Sequence, residues 1–335
     1  MLGKGYWYSI KGEIVFTEQY TPDNMPIIVE EGTSNPLLNS FIDGIRDGLR
    51  ALWSEGIGNY HDIVKTILNV NSFIKAGYFD TFKDISPGSD EEDATTFMKH
   101  AIIGGYIASK MQKYSIASKI DSYNYDQYDT IFGFWASFWA ERSGLKISIL
   151  PNYSGIPELE TELCLIDVAN ILKALAMNET HIGRPGAGAT DTTEKDGKTK
   201  KPYVGLMQVS WNGLGFMEDE GNTAWGSTYG YGLIFPIGNQ KIYIDNIFLN
   251  IGAGTGHLWN KLTRSSNYPY SKGNRDAPKL YQWLEAIKLY YGTGKDLSEW
   301  YPTDILSIIT KGTKTYYGEK ETKELFEVNR YYNNR

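Results

Sequence analysis

Cysteine occurs once, at Cys164, so no disulfide can close within the chain and burial and hydrogen bonding must hold the fold. The thiol sits in the apolar run ELCLIDVANILKAL and reads as a small core residue. Positive charge is also scarce: 33 Lys and Arg against 40 Asp and Glu leave a net charge of -7. No basic run interleaves with aromatics, so no nucleic-acid partner is expected. The four histidines, His61, His100, His181 and His257, show no HExxH or Cys/His ligand spacing, and no metal or other cofactor is expected. A Gly-x-Ser-x-Gly elbow is missing as well, which leaves no signal for a serine hydrolase. No apolar run approaches the roughly 18 residues of a membrane span. The opening MLGKGYWYSIKGEIVFTEQY has no continuous apolar core, so the expectation is synthesis in the cytoplasm without a Sec signal.

What is present is ordinary for a globular protein. The 335 residues suffice for two medium domains, and 41% hydrophobic with 22% charged residues is far from the composition of disorder. Aromatics reach 14%, including 25 Tyr and 9 Trp. Most of these should fill the core, although such rings also line surfaces that stack on sugars.

Periodicity predicts a mainly α chain. Residues 1–36 read as short strands, with EIVFTEQY and MPIIVEE separated by the turn TPDN. NPLLNSFIDGIRDGLRALW then places Leu38, Phe41, Ile45, Leu49 and Leu52 on one helical face. Two further helices are expected around HDIVKTILNVNSFIKAGYF and DATTFMKHAIIGGYIASKMQKYS. Phe132, Phe134, Trp135, Phe138 and Trp139 make YDTIFGFWASFWAERSGL a core helix. The Pro- and Gly-bearing PNYSGIPELE marks the expected boundary between a helical N-terminal region, 1–150, and a second domain, 151–335.

Beyond that boundary, Leu165, Ala169, Leu172, Leu175, Ala176 and Glu179 fall at helical spacing. A carboxyl next to apolar neighbours is disfavoured as an anion, which suits a general acid. An isolated glutamate at a helix end would simply turn to water. Downstream come Gly205, Leu206, Met207 and Gln208, then Asn250, Ile251, Ala253, Gly254 and Leu258 in NIFLNIGAGTGHLWNKL, then Ala286, Tyr290, Gly292 and Gly294 in WLEAIKLYYGTG.

In this order the segments resemble the goose-type lysozyme and soluble lytic transglycosylase family over residues 157–315. The resemblance implies a C-terminal lysozyme-like helical domain with a small β element; with the mainly helical N-terminal region and short strands that periodicity predicts, the expected fold class is mainly α (α+β). It implies a muramidase that cleaves the β-1,4 bond between N-acetylmuramic acid and N-acetylglucosamine in peptidoglycan. Glu179 would protonate the glycosidic oxygen, Gln208, Met207, Ser210 and Tyr290 would bind the glycan, and Tyr290 would lie close to Glu179. His181, two residues after Glu179, is a further candidate for the cleft.

The chain departs from the pattern in three places. The loop between Glu179 and Gly205 is long and polar, Tyr203 and Val204 stand where small residues are typical, and Tyr291 replaces an asparagine. A second catalytic carboxylate has candidates in Asp191, Glu194, Asp196, Glu218, Asp219 and Glu220, each equally readable as a solvated loop charge. Hydrolysis and anhydro-sugar formation both stay open, since the substrate's acetamido group can assist a single glutamate. LNIGAGTGHL also resembles the glycine-rich loop of S-adenosylmethionine-dependent methyltransferases, but too few strand and helix units follow it.

The expectation is therefore a peptidoglycan glycosidase whose N-terminal region positions it on the wall or on a larger assembly. Without a secretion signal, it would reach the wall after lysis, through a holin, or as part of a phage tail or injection machine. The rival is a non-catalytic glycan-binding or structural assembly protein that keeps the lysozyme-like fold.

Overall fold

The computed structural model describes residues 5–8, 14–17, 36–86, 88–114, 123–155, 157–183, 203–210, 246–291 and 300–311. These residues are mainly helical. The α-helices are α1 (Pro36–Ser54), α2 (Tyr60–Lys75), α3 (Tyr78–Lys83), α4 (Asp90–Lys110), α5 (Asp129–Ser143), α6 (Leu165–Thr180), α7 (Ile247–Arg264), α8 (Leu280–Tyr291) and α9 (Trp300–Lys311). Strands among the described residues are confined to two short antiparallel pairs. One joins β1 (Gly5–Tyr8) to β2 (Ile14–Thr17), and the other joins β3 (Tyr203–Val204) to β4 (Val209–Ser210). The expected strand MPIIVEE lies outside the described residues.

Local sequence explains most helix ends. Ser89 caps α4 in a reciprocal box with Glu92, which satisfies two otherwise orphaned N–H groups. Gly77, at φ 76°, separates α2 from α3 where the sequence pattern runs on. Asp167 closes the start of α6 by accepting from the Cys164 N–H at 3.0 Å, and the Tyr153 hydroxyl donates to the same carboxylate at 2.5 Å.

One correction concerns α1. Leu49 and Leu52 are buried as expected, but Leu38, Phe41 and Ile45 are only half-buried, and the deepest face runs through Ile42, Gly44 and Gly48. The reason is backbone proximity to α4. A methyl group on Gly44 would stand 2.4 Å from the Thr95 carbonyl oxygen, and one on Gly48 would stand 2.6 Å from Ile102 Cβ. Glycines let the two helices meet along a line that a count of apolar residues overlooks.

A single apolar core extends from Leu49 to Ile308. Within it α4 packs on α1, α2 and α5, while α5 packs on α6 and α7. The aromatic residues of α5 are all buried, as their density suggested. Trp135 donates its indole N–H to the Phe248 carbonyl at 2.8 Å, and Trp139 donates to Gly252 at 3.0 Å. Each such bond contributes about 1 kcal/mol net. The helix from the first half of the chain therefore fixes α7 in the second half, and the line at residue 150 falls between elements that share one core. No described helix is long and apolar enough to cross a membrane.

Candidate functional site

Helix α6 runs through the core and emerges at its C-terminus. Leu165, Ala169, Leu172, Leu175 and Ala176 are buried, and Glu179, next along that stripe, is half-buried. The chain then turns through three successive left-handed residues: His181 at φ 50°, Ile182 at φ 54° and Gly183 at φ 72°. A β-branched residue at positive φ is strained, and the surroundings must hold it there. Ile182 has a fully buried side chain, its carbonyl accepts from the Tyr123 hydroxyl at 2.7 Å, and the Gly183 N–H donates to Thr180 Oγ1 at 3.2 Å.

Gly205, Leu206, Met207 and Gln208 form the turn of the β3–β4 hairpin. Gly205 at φ 74° and Gln208 at φ 47° are left-handed, and the Gln208 N–H closes the turn onto the Gly205 carbonyl at 3.1 Å. Gln208 Nε2 returns to the same carbonyl at 3.0 Å. Among the described residues, the non-glycine positions with positive φ are His181, Ile182 and Gln208. All three lie here, and backbone strain of this kind concentrates at functional sites.

Three elements clamp this turn. The Thr180 hydroxyl, adjacent to Glu179, lies 3.0 Å from the Leu206 carbonyl oxygen. Asn250, buried on α7, accepts from the Met207 N–H at 2.8 Å. Its amide also occupies the space a side chain at Gly205 would need, with Nδ2 only 2.3 Å from where a Cβ would sit. From α8, the Tyr290 hydroxyl donates to the Met207 carbonyl at 2.7 Å. Met207 itself packs on Gly254, where an added Cβ would stand 2.5 Å from Met207 Cβ.

Electrostatics ties the glutamate to the tyrosine. Burial and then the negative charge of Glu179 push the Tyr290 phenol well above its usual value, so it stays protonated and remains a donor. His257 of α7 meets the Tyr290 ring edge-on at 5.0 Å between centroids. Burial, reinforced by Lys261, pulls its imidazole down to about 3, so it is neutral at ordinary pH. The arrangement thus places one half-buried carboxyl, a neutral imidazole and a protonated phenol around a rigid backbone turn. In such a set the carboxyl is the group that can offer or accept a proton.

The structure thus links the helix end bearing Glu179 to Gln208 and Tyr290 through bonded neighbours, with His181 half-buried at the cap of that same helix. Met207 differs from expectation: it is fully buried, so its side chain supports the turn from beneath and presents no surface for a ligand. Ser210 lies in β4 opposite Tyr203. The candidate second carboxylates, Asp191, Glu194, Asp196, Glu218, Asp219 and Glu220, fall outside the described residues. Among the described residues no group of three or more His, Cys, Asp and Glu side chains is arranged to hold a metal.

The glycine-rich loop reading of LNIGAGTGHL does not hold. Residues Ile247–Arg264 form one continuous helix, so the three glycines lie within a helix and make no cofactor loop, and Gly252 and Gly254 admit Trp135 and Met207 close to the helix backbone. Sequence reasoning missed Tyr123, Thr180 and His257. Thr180 and His257 sit beside recognised motif positions, whereas Tyr123 comes from a segment that no motif covers.

No family model matches this chain, and neither a curated protein nor a solved structure matches it.

Proposed function

We propose that this protein is a peptidoglycan-cleaving glycosidase of the muramidase type, a lysozyme or lytic transglycosylase, with Glu179 as the general acid. The observation that carries the reading is the meeting of three separated segments on one turn. Thr180, Asn250 and Tyr290 all bond the backbone of residues 206–207, and the charge of Glu179 reaches Tyr290. These segments were singled out by their order along the chain, and nothing in their spacing alone requires them to touch.

In this reading Glu179 donates its proton to the oxygen between N-acetylmuramic acid and N-acetylglucosamine as that bond breaks. The freed anomeric carbon is captured by water, giving a reducing end, or by the sugar's own 6-hydroxyl, giving an anhydro end, with the proton of that nucleophile returning to Glu179. Gln208, held at positive φ on the turn, presents its amide edge to the glycan. Tyr290 and Asn250 keep the turn rigid, so that little reorganisation is needed as charge develops. His181 borders the carboxyl from the helix cap.

The test is to incubate the folded chain with purified peptidoglycan from several wall types and to weigh the soluble products by mass spectrometry. Muropeptides with reducing ends identify a hydrolase, and 1,6-anhydro ends identify a transglycosylase. A folded chain that binds the wall and releases nothing from any of them would replace this reading with that of a glycan-binding or assembly protein.

A further inference from the structure

The last turn of α6 is held from outside by a segment of the N-terminal half. Residues 123–129 lie along α6 and are fastened to it twice. At one point Lys173, fully buried in α6, pairs with Asp126 at 2.5 Å and Asp129 at 2.7 Å and donates to the Gln112 carbonyl at 2.9 Å. At the other, the Tyr123 hydroxyl donates to the Ile182 carbonyl at 2.7 Å. Lys173 lies before Glu179 on the helix and Ile182 lies after it, so the two fastenings bracket the glutamate.

The polarity of the second fastening is fixed. Gln127 Nε2 donates to the Tyr123 oxygen at 2.9 Å. The phenol therefore accepts from Gln127 and keeps its only proton for the Ile182 carbonyl. Burial raises the Tyr123 phenol above its ordinary value, against a smaller lowering by the Gln127 hydrogen bond, which favours keeping that proton.

The carbonyl it holds belongs to the most strained residue of the turn. A helix commonly ends on one left-handed residue, usually glycine. Here His181 and Ile182 both adopt that conformation before Gly183 is reached. Freed of Tyr123, Ile182 gains by returning to negative φ, and the cap bonds from the His181 N–H to the Ala176 and Met177 carbonyls would shift with it. Glu179 lies within the turn those bonds close.

We propose that Tyr123 is a positioning residue for Glu179, holding through the Ile182 carbonyl the left-handed turn that sets the direction of the glutamate at the helix end. The catalytic part of this inference rests on the glycosidase reading. The structural part does not. It also gives the N-terminal half a direct role in the site.

The test compares the full chain with Tyr123→Phe, which keeps the ring and removes the hydroxyl, by steady-state cleavage of purified peptidoglycan and by amide hydrogen exchange. The expected result is a fall in kcat of about tenfold with KM unchanged, because orientation is lost and binding is kept. Exchange should accelerate at His181 and Gly183 and stay native in α4 and α5. An active native chain with a variant kcat within about twofold of it overturns the proposal. If the native chain releases nothing, the glycosidase reading falls, and exchange alone decides: selective acceleration at His181 and Gly183 supports the fastening, and unchanged exchange refutes it. Should Tyr123→Phe fail to fold, Gln127→Leu removes the donor that orients the phenol. It must show the same kcat and exchange changes in smaller measure, and native behaviour in that variant overturns the proposal.

Discussion

The Tyr290 hydroxyl donates to the Met207 carbonyl at 2.7 Å, so a residue on α8 holds the backbone of a turn more than eighty positions earlier in the chain. Because the phenol is kept protonated by burial and by the charge of Glu179, the bond persists across the ordinary pH range. Removing the hydroxyl leaves a carbonyl in a dry setting without its donor, which costs about 1–3 kcal/mol. Tyr290→Phe should lower the urea midpoint accordingly and slow glycan cleavage by about tenfold. A variant with native midpoint and native rate would show that the turn is held by its other clamps alone.

Gly254 tests the same turn from the other side. Alanine there would drive a methyl group against Met207 Cβ, at 2.5 Å before relaxation. Met207 is fully buried and has little room to withdraw, so Gly254→Ala should destabilise by about 1–3 kcal/mol despite alanine's better helix propensity. Equilibrium unfolding in urea measures this, and a stabilised variant would contradict the close contact.

Lys173 is a charge fully buried among apolar neighbours of α6; its partner Asp129 is buried with it and its partner Asp126 is half-buried, and Lys113 also pairs with Asp129. Lys173→Met should cost about 3–5 kcal/mol, because it strands carboxylates in a poorly solvated place. Adding Asp129→Asn to that variant should return part of the loss. Equal stability of the single and double variants would show that the carboxylates are solvated once the lysine is gone.

The fold should weaken in mild acid for a reason distant from the site. His100 is buried between α4 and α5, with Nδ1 2.8 Å from Ser137 Oγ, and burial pulls its pKa down to about 4 from 6.5. Glu141 opposes that shift and Lys99 adds to it. The unfolded chain therefore binds a proton that the native chain refuses, so stability from this group is full above pH 6.5 and is lost as pH falls towards about 4. The loss should reach about 2–3 kcal/mol over that window. His100→Asn can keep a bond to Ser137 without titrating, and urea melts across the window should show a flatter pH dependence for it than for the native chain.

The sequence and the structure agree where burial follows periodicity. The aromatic run of α5 and the stripe leading to Glu179 are legible because apolar side chains recur at helical spacing. The α1 interface was only partly so, because Gly44 and Gly48 contribute proximity and no hydrophobicity. At the site, Glu179, Gln208 and Tyr290 could be picked out only through a resemblance in motif order, and the role of Met207 shifted from contact to support. Tyr123 was invisible because a hydroxyl bonding a distant backbone carbonyl leaves no periodic trace. Lys173 did leave a signal, a lone cation within ILKALA, which reads as a buried pair once its acidic partners are known.

Glu179 is the proposed acid, and its role is tested by the rate at which soluble muropeptides are released from purified peptidoglycan by the native chain and by Glu179→Gln. The substitution keeps the shape of the side chain and removes its titratable proton. Release by the native chain is expected, with a fall of about a thousandfold or more in the variant and retained wall binding by both. Release by Glu179→Gln at the native rate would contradict that role and move the acid to another residue.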